Sequence, residues 1–144
     1  MQGFVVGFIG MKKFILLTSF LISSNGYSAN FSIVNSPFAD VSTYITDNPP
    51  LADVSVYISS SPFADHSVYI NQGSCIYSGQ SINISTTPFT DVSIYISSNS
   101  ALADVSVYIN DNPALADHSL CVPSNSTKRD IEKYVAAFMG AIYY

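Results

Sequence analysis

The stretch PFADVSTYITDNPPLADVSVYISSSPFADHSVYI, residues 37–70, states nearly the same unit three times. Each unit reads A-D-V-S-V-Y-I, then a polar turn, then a large apolar residue. Within Ala52–Ile58, Val54, Val56 and Ile58 fall on one face, and Asp53, Ser55 and Tyr57 fall on the other. A period of two is the pattern of a half-buried strand, and Val, Ile, Thr and Tyr suit a pleated surface. The separators TDNPP, SSSP, SSNS and NDNP are turn chemistry. Asn, Asp and Ser bond nearby backbone there, and Pro fixes φ while withholding a donor.

Working outward, the unit recurs with Asp40, Asp53, Asp65, Asp91, Asp104 and Asp117 at its second position. The interval from Asp65 to Asp91 is two units long and hides a degenerate copy, residues 78–89, with Gly79 at the Asp position. That makes seven units, and a partial copy begins at Asn30. Ahead of each A-D pair stands Phe38, Leu51, Phe63, Tyr77, Phe89, Leu102 or Leu115, which reads as a second buried anchor per unit. One such unit cannot bury its own apolar face, whereas stacked or paired units can. The pattern allows a narrow β-solenoid, a meander closing into a small barrel, or a more wound path.

ADVSVYISSSPF, ADHSVYI and ADVSVYINDNPAL resemble the 13-residue A-D-apolar-x-V-Y repeat of the septoil-knot proteins, an uncharacterised bacterial family. The resemblance covers roughly residues 30–127. It implies a compact all-β body whose backbone forms a seven-crossing torus knot. In this chain Ser, Asn and Pro hold turn positions where that family carries charged and aromatic residues. The expected architecture is therefore all-β: seven or so repeats in a wound, knotted or solenoid-like body, with one C-terminal α-helix.

That helix is read from STKRDIEKYVAAFMGAIYY. Ile131, Tyr134, Val135, Phe138, Met139 and Ile142 form one apolar stripe, and Thr127 with Asp130 fits a capping box. Residues 128–144 are expected to cap an open end or edge of the β body, with partner docking as the alternative.

At the other end, MKKFILLTSFLISSNGYSA, residues 11–29, has the order of a secretory signal: basic residues, a short apolar run, then small polar residues. Residues 1–29 are assigned to it, with Met11 as a candidate start and no stable membrane span in the mature chain. The expected location is periplasmic or extracellular. Beyond the signal, three basic residues face ten carboxylates, and no Lys or Arg occurs between Phe14 and Thr127. Nucleic-acid binding, which needs cations against phosphate, is excluded on that ground.

The aspartate column could in principle hold Ca²⁺, but each Asp stands alone, so each is expected to accept backbone N–H groups where its strand begins. Two units break the rule. ADHSVYINQGSC contains His66 and Cys75, and ADHSLC contains His118 and Cys121. The shared irregularity predicts that these units meet. A Cys75–Cys121 disulfide is the first reading in an exported chain, and a His₂Cys₂ zinc site the second. No catalytic residues are assigned. Asp65–His66 and Asp117–His118 are neighbours in sequence and point to opposite faces of a strand. No cofactor is expected.

The function that follows is an exported, non-enzymatic β-repeat structural or binding module. Its expected contact surface is the outer ladder Tyr44, Tyr57, Tyr69, Tyr95 and Tyr108, with an envelope protein or self-association as candidate partner. The alternative is a metal-binding periplasmic protein using His66 and His118. A third reading, an ice-binding solenoid, is disfavoured because bulky Tyr breaks a flat lattice-matching face.

Overall fold

The computed structural model describes residues 30–73 and 79–144; the expected signal segment lies outside them. The alternating stretches form eight strands: β1 (Asn30–Ile33), β2 (Val41–Ile45), β3 (Val54–Ser59), β4 (His66–Gln72), β5 (Gln80–Ile84), β6 (Val92–Ser97), β7 (Val105–Ile109) and β8 (His118–Val122). The partial copy supplies β1, and the degenerate copy supplies β5. One helix follows, α1 (Lys128–Tyr143).

The strands close into a barrel in the order β1-β5-β2-β6-β3-β7-β4-β8. Every junction is parallel. Strands consecutive in the chain stand two places apart, except β4 and β5, which stand three apart, so the chain goes round the barrel twice, the second lap filling between the staves of the first. The β2–β3 and β6–β7 connections pass outside the strand they cross. Ser93 Oγ on β6 donates to the Leu51 carbonyl of the β2–β3 connection (3.0 Å), and Ser55 Oγ on β3 donates to the Leu102 carbonyl of the β6–β7 connection (3.4 Å).

This corrects the expectation of a wound, knotted or solenoid-like body. Units adjacent in sequence never pair with each other, and the sheet closes on itself as a barrel. The local pattern is the same in either case, because period-two alternation fixes which side chains face inward but not which strand lies alongside.

Register explains the size of the lumen. Equivalent residues of neighbouring strands are offset by two, as in Val54 opposite Ile94 and Val56 opposite Val105. The exception is β1–β5, where Phe31 lies level with Gln80. Two residues at seven junctions make a shear of fourteen for eight strands. A shear of eight gives a tilt of about 36° and a lumen filled by strand side chains alone. A shear of fourteen tilts the strands to roughly 50° and widens the barrel to a radius of roughly 9–10 Å. That is room for a helix with small side chains, whose full diameter is about 10–12 Å.

α1 occupies this lumen. Val135 through Ala141 are all buried, nearly two full turns with every face covered. The helix touches β2, β3, β5, β6, β7 and β8. Its inner partners are the inward strand residues, among them Phe31, Val54, Val56, Ile82, Ile94, Val107 and Leu120. Phe31 meets Phe138 edge-on with ring centroids 4.8 Å apart. The capping box forms as expected: Thr127 Oγ1 accepts the Asp130 N–H (3.1 Å), and the Asp130 carboxylate accepts the Thr127 N–H (3.0 Å). The capping role does not hold. A closed barrel has no edge to shield, and the helix is its core.

Candidate functional site: the outer girdle and its clasps

The lumen is a packed core, so partner chemistry falls to the outer surface. Its construction begins with the aspartates. The Asp53 carboxylate accepts the Ser93 N–H (2.9 Å) and the Ser93 hydroxyl (3.2 Å). In return the Asp53 N–H donates to the Ser93 carbonyl (2.9 Å) and to Ser93 Oγ (3.1 Å). The same clasp joins Asp40 to Ser81, Asp91 to Ser42, Asp104 to Ser55 and Asp65 to Ser106. Asp117 accepts the Ser67 N–H at 2.9 Å. The expectation of backbone acceptance is met, but the donors are not local. They lie 40–50 residues away on the neighbouring stave. The signal was in the sequence: each unit carries Asp and, two residues on, Ser. Read along a chain of parallel strands offset by two, that spacing places each Asp level with the Ser of the strand beside it.

The apolar residues ahead of each Asp are not buried anchors. Phe38, Phe63 and Phe89 are 92–93% exposed, and Leu51, Leu102 and Leu115 are 68–75% exposed. Tyr77 lies outside the described residues. The physical reason is the helix. It supplies the core from within, so connections on the outside have no second layer to pack against. The offset of two residues per strand nearly equals the shear per strand, fourteen over eight, so equivalent positions lie at nearly one height. The six side chains therefore form a girdle, in the barrel order Phe38, Phe89, Leu51, Leu102, Phe63, Leu115. Tyr44, Tyr57, Tyr69, Tyr95 and Tyr108 point outward and are only half-buried.

The two irregular units do meet. The rings of His66 and His118 are 5.7 Å apart, and His118 packs edge-on against Phe138 at 5.2 Å. His118 is 6% exposed. Burial, and secondarily the neighbouring His66, pull its pKa down from 6.5 to about 4, against a small upward pull from Asp117. Both histidines face the lumen, whereas Cys121 has the opposite strand parity. Its side chain thus points away from the two imidazoles, which do not converge on its sulfur. Cys75, the only other cysteine, lies outside the described residues, so the Cys75–Cys121 pairing is carried forward as a proposal. Among the described residues no group of three or more His, Cys, Asp or Glu is arranged to hold a metal. Asp117 engages Ser67 on the outside while His118 points in, so this pair forms no base–orienter couple. No helix among the described residues is long and apolar enough to cross a membrane.

No family model and no curated protein matches the chain.

Proposed function

We propose that this protein is an exported, non-enzymatic binding module that meets its partner through the girdle of Phe38, Phe89, Leu51, Leu102, Phe63 and Leu115. The observation that carries the reading is their shared exposure at one repeat position. Isolated apolar residues on a surface are ordinary, but six brought to one height by the register repeat an exposed apolar side chain at one level round the barrel. Phe and Leu held on short Pro- or Ala-preceded connections lose little conformational freedom when they insert into a partner's pockets. The half-buried tyrosines beneath them add apolar bodies with polar tips. The repeat body carries no Lys or Arg, so the reading favours a protein surface with apolar sockets over a phosphate-rich one.

The test replaces Phe38, Phe63 and Phe89 together with Ser. Exposed positions tolerate such changes within about 0.5 kcal/mol, so the melting temperature should hold. Envelope proteins retained by the wild-type chain should be lost by the triple variant. Equal retention by both would overturn the girdle as the contact surface.

A further inference from the structure

Each clasp occupies only half of its aspartate. In all six the acceptor is one carboxylate oxygen, Oδ2. For Asp40, Asp53, Asp65, Asp104 and Asp117 the other oxygen, Oδ1, makes no hydrogen bond and no ion pair among the described residues. These five aspartates are exposed. The clasp therefore holds a carboxylate in a fixed orientation and turns its second oxygen to the outside. Each aspartate stands two residues after a girdle side chain, as Asp40 after Phe38, Asp53 after Leu51 and Asp65 after Phe63. The register that sets the apolar residues at one height does the same for the carboxylates. The repeat body has no Lys or Arg to answer them. Lys128, Arg129 and Lys133 stand in the first turns of α1, which begins at the opposite end, where β4 and β8 finish. There the Gln72 side-chain amide donates to the carbonyls of Ser124 (3.1 Å) and Ser126 (2.9 Å).

We propose that the girdle's partner is a basic polypeptide segment that also carries apolar side chains, with its Lys or Arg seated on the outward Oδ1 oxygens and its apolar residues on the Phe and Leu side chains. This rests on the girdle reading above and names the chemistry of what the girdle binds. Charge complementarity selects the occupant. An acidic surface would meet like charge, and a neutral apolar one would strip water from the carboxylates without pairing them. A single exposed ion pair contributes little, in part because two side chains must be immobilised to form it. Here the clasp has already fixed one of the two, so that part of the ordering cost is not incurred on binding. The ring faces of Phe38, Phe63 and Phe89, 92–93% exposed, attract a cation as well. Repetition of the pair round one end of the barrel also concentrates negative potential there, which speeds encounter with a basic segment at low salt.

The test is an NMR titration of the ¹⁵N-labelled chain with three short peptides, repeats of Lys-Leu-Gly-Ser, of Glu-Leu-Gly-Ser and of Lys-Ser-Gly-Ser. The Lys-Leu peptide should bind and shift the amides of girdle and clasp residues, among them Asp40, Asp53 and Asp104. Asp47 and Asp111, which follow β2 and β7 at the other end, should stay in place. The Glu-Leu peptide should bind roughly tenfold more weakly or not at all, the combined effect of several exposed charge pairs. Asp40→Asn, Asp53→Asn, Asp65→Asn, Asp91→Asn, Asp104→Asn and Asp117→Asn together keep an acceptor oxygen in every clasp and remove the charge. That variant should lose the preference for the Lys-Leu peptide, and the comparison of peptides on the wild-type chain stands whether or not it folds. Equal binding of the Lys-Leu and Glu-Leu peptides would overturn the proposal and leave the girdle reading standing. Shifts centred on Asp47 and Asp111, or no binding of the Lys-Leu peptide, would overturn it as well. Lys-Ser binding as tight as Lys-Leu binding marks the separate failure of the girdle reading, and the proposal falls with it.

Discussion

Gly140 of the helix lies directly against the Ile94 side chain of β6. A Cβ on the glycine would stand 2.6 Å from Ile94 Cδ1 and nearer still to Cγ1. Helix propensity alone favours Ala over Gly by roughly 0.5–1 kcal/mol. Overpacking a filled core costs about 1–3 kcal/mol, so the clash should win. Gly140→Ala is expected to lower stability in urea unfolding, and adding Ile94→Val, which removes Cδ1, should recover part of the loss. A neutral or stabilised Gly140→Ala protein would show that the helix does not sit this deep.

The clasps make a second prediction. Asp53→Ala removes the acceptor for both Ser93 donors and should cost about 1 kcal/mol or somewhat more, several degrees in melting temperature for a domain of this size. In a double-mutant cycle Asp53→Ala and Ser93→Ala should couple, whereas Asp53→Ala and Ser106→Ala, on separate clasps, should add independently. Coupling in neither pair would mean that the clasps contribute nothing to strand pairing.

His118 sets the pH dependence. Its pKa in the folded chain, about 4, lies below its ordinary 6.5. Between these values the unfolded chain takes up a proton that the folded chain refuses, so stability falls as pH drops through that window and is unaffected above it. The loss by pH 4 is on the order of 3 kcal/mol. Val holds the same position in four other units, Val41, Val54, Val92 and Val105. His118→Val should therefore remove this slope, leaving the carboxylate contribution below it. An unchanged slope between pH 6.5 and 4 would place His118 in a wetter setting than the lumen.

The disulfide proposal has a chemical test. Under denaturing, non-reducing conditions neither Cys75 nor Cys121 should react with a thiol reagent, and both should react after reduction. A link closing about 46 residues is expected to contribute roughly 2–4 kcal/mol, so reductant should lower the melting temperature. Two reactive thiols in the unreduced chain would sink the pairing.

Strand positions, the helix with its capping box and the meeting of His66 with His118 were legible in the sequence, because alternation, i/i+4 spacing and shared irregularity are local or pairwise signals. The circular order was not. The units carry V-S-V-Y-I or a variant with the same alternation, so Tyr57 could lie beside Tyr44 in a solenoid as readily as Ser55 lies beside Tyr95 in the barrel. What decides is collective: a two-residue offset accumulating to a wide lumen, and a helix with Ala136, Ala137, Gly140 and Ala141 narrow enough to fill it. The girdle was misread for a related reason. A repeated Phe or Leu implies burial only if the chain outside it has something to pack against, and the core here is on the other side of the sheet.

Through-hydrogen-bond NMR couplings read the interleaved closure of the barrel bond by bond. The Thr46 amide should couple to the Ile94 carbonyl, the Asp53 amide to Ser93 and the Asp104 amide to Ser55, matching hydrogen bonds of 2.8, 2.9 and 2.9 Å. Couplings that instead join each unit to the next one along the chain, such as the β3 amides to β2 carbonyls, would contradict it.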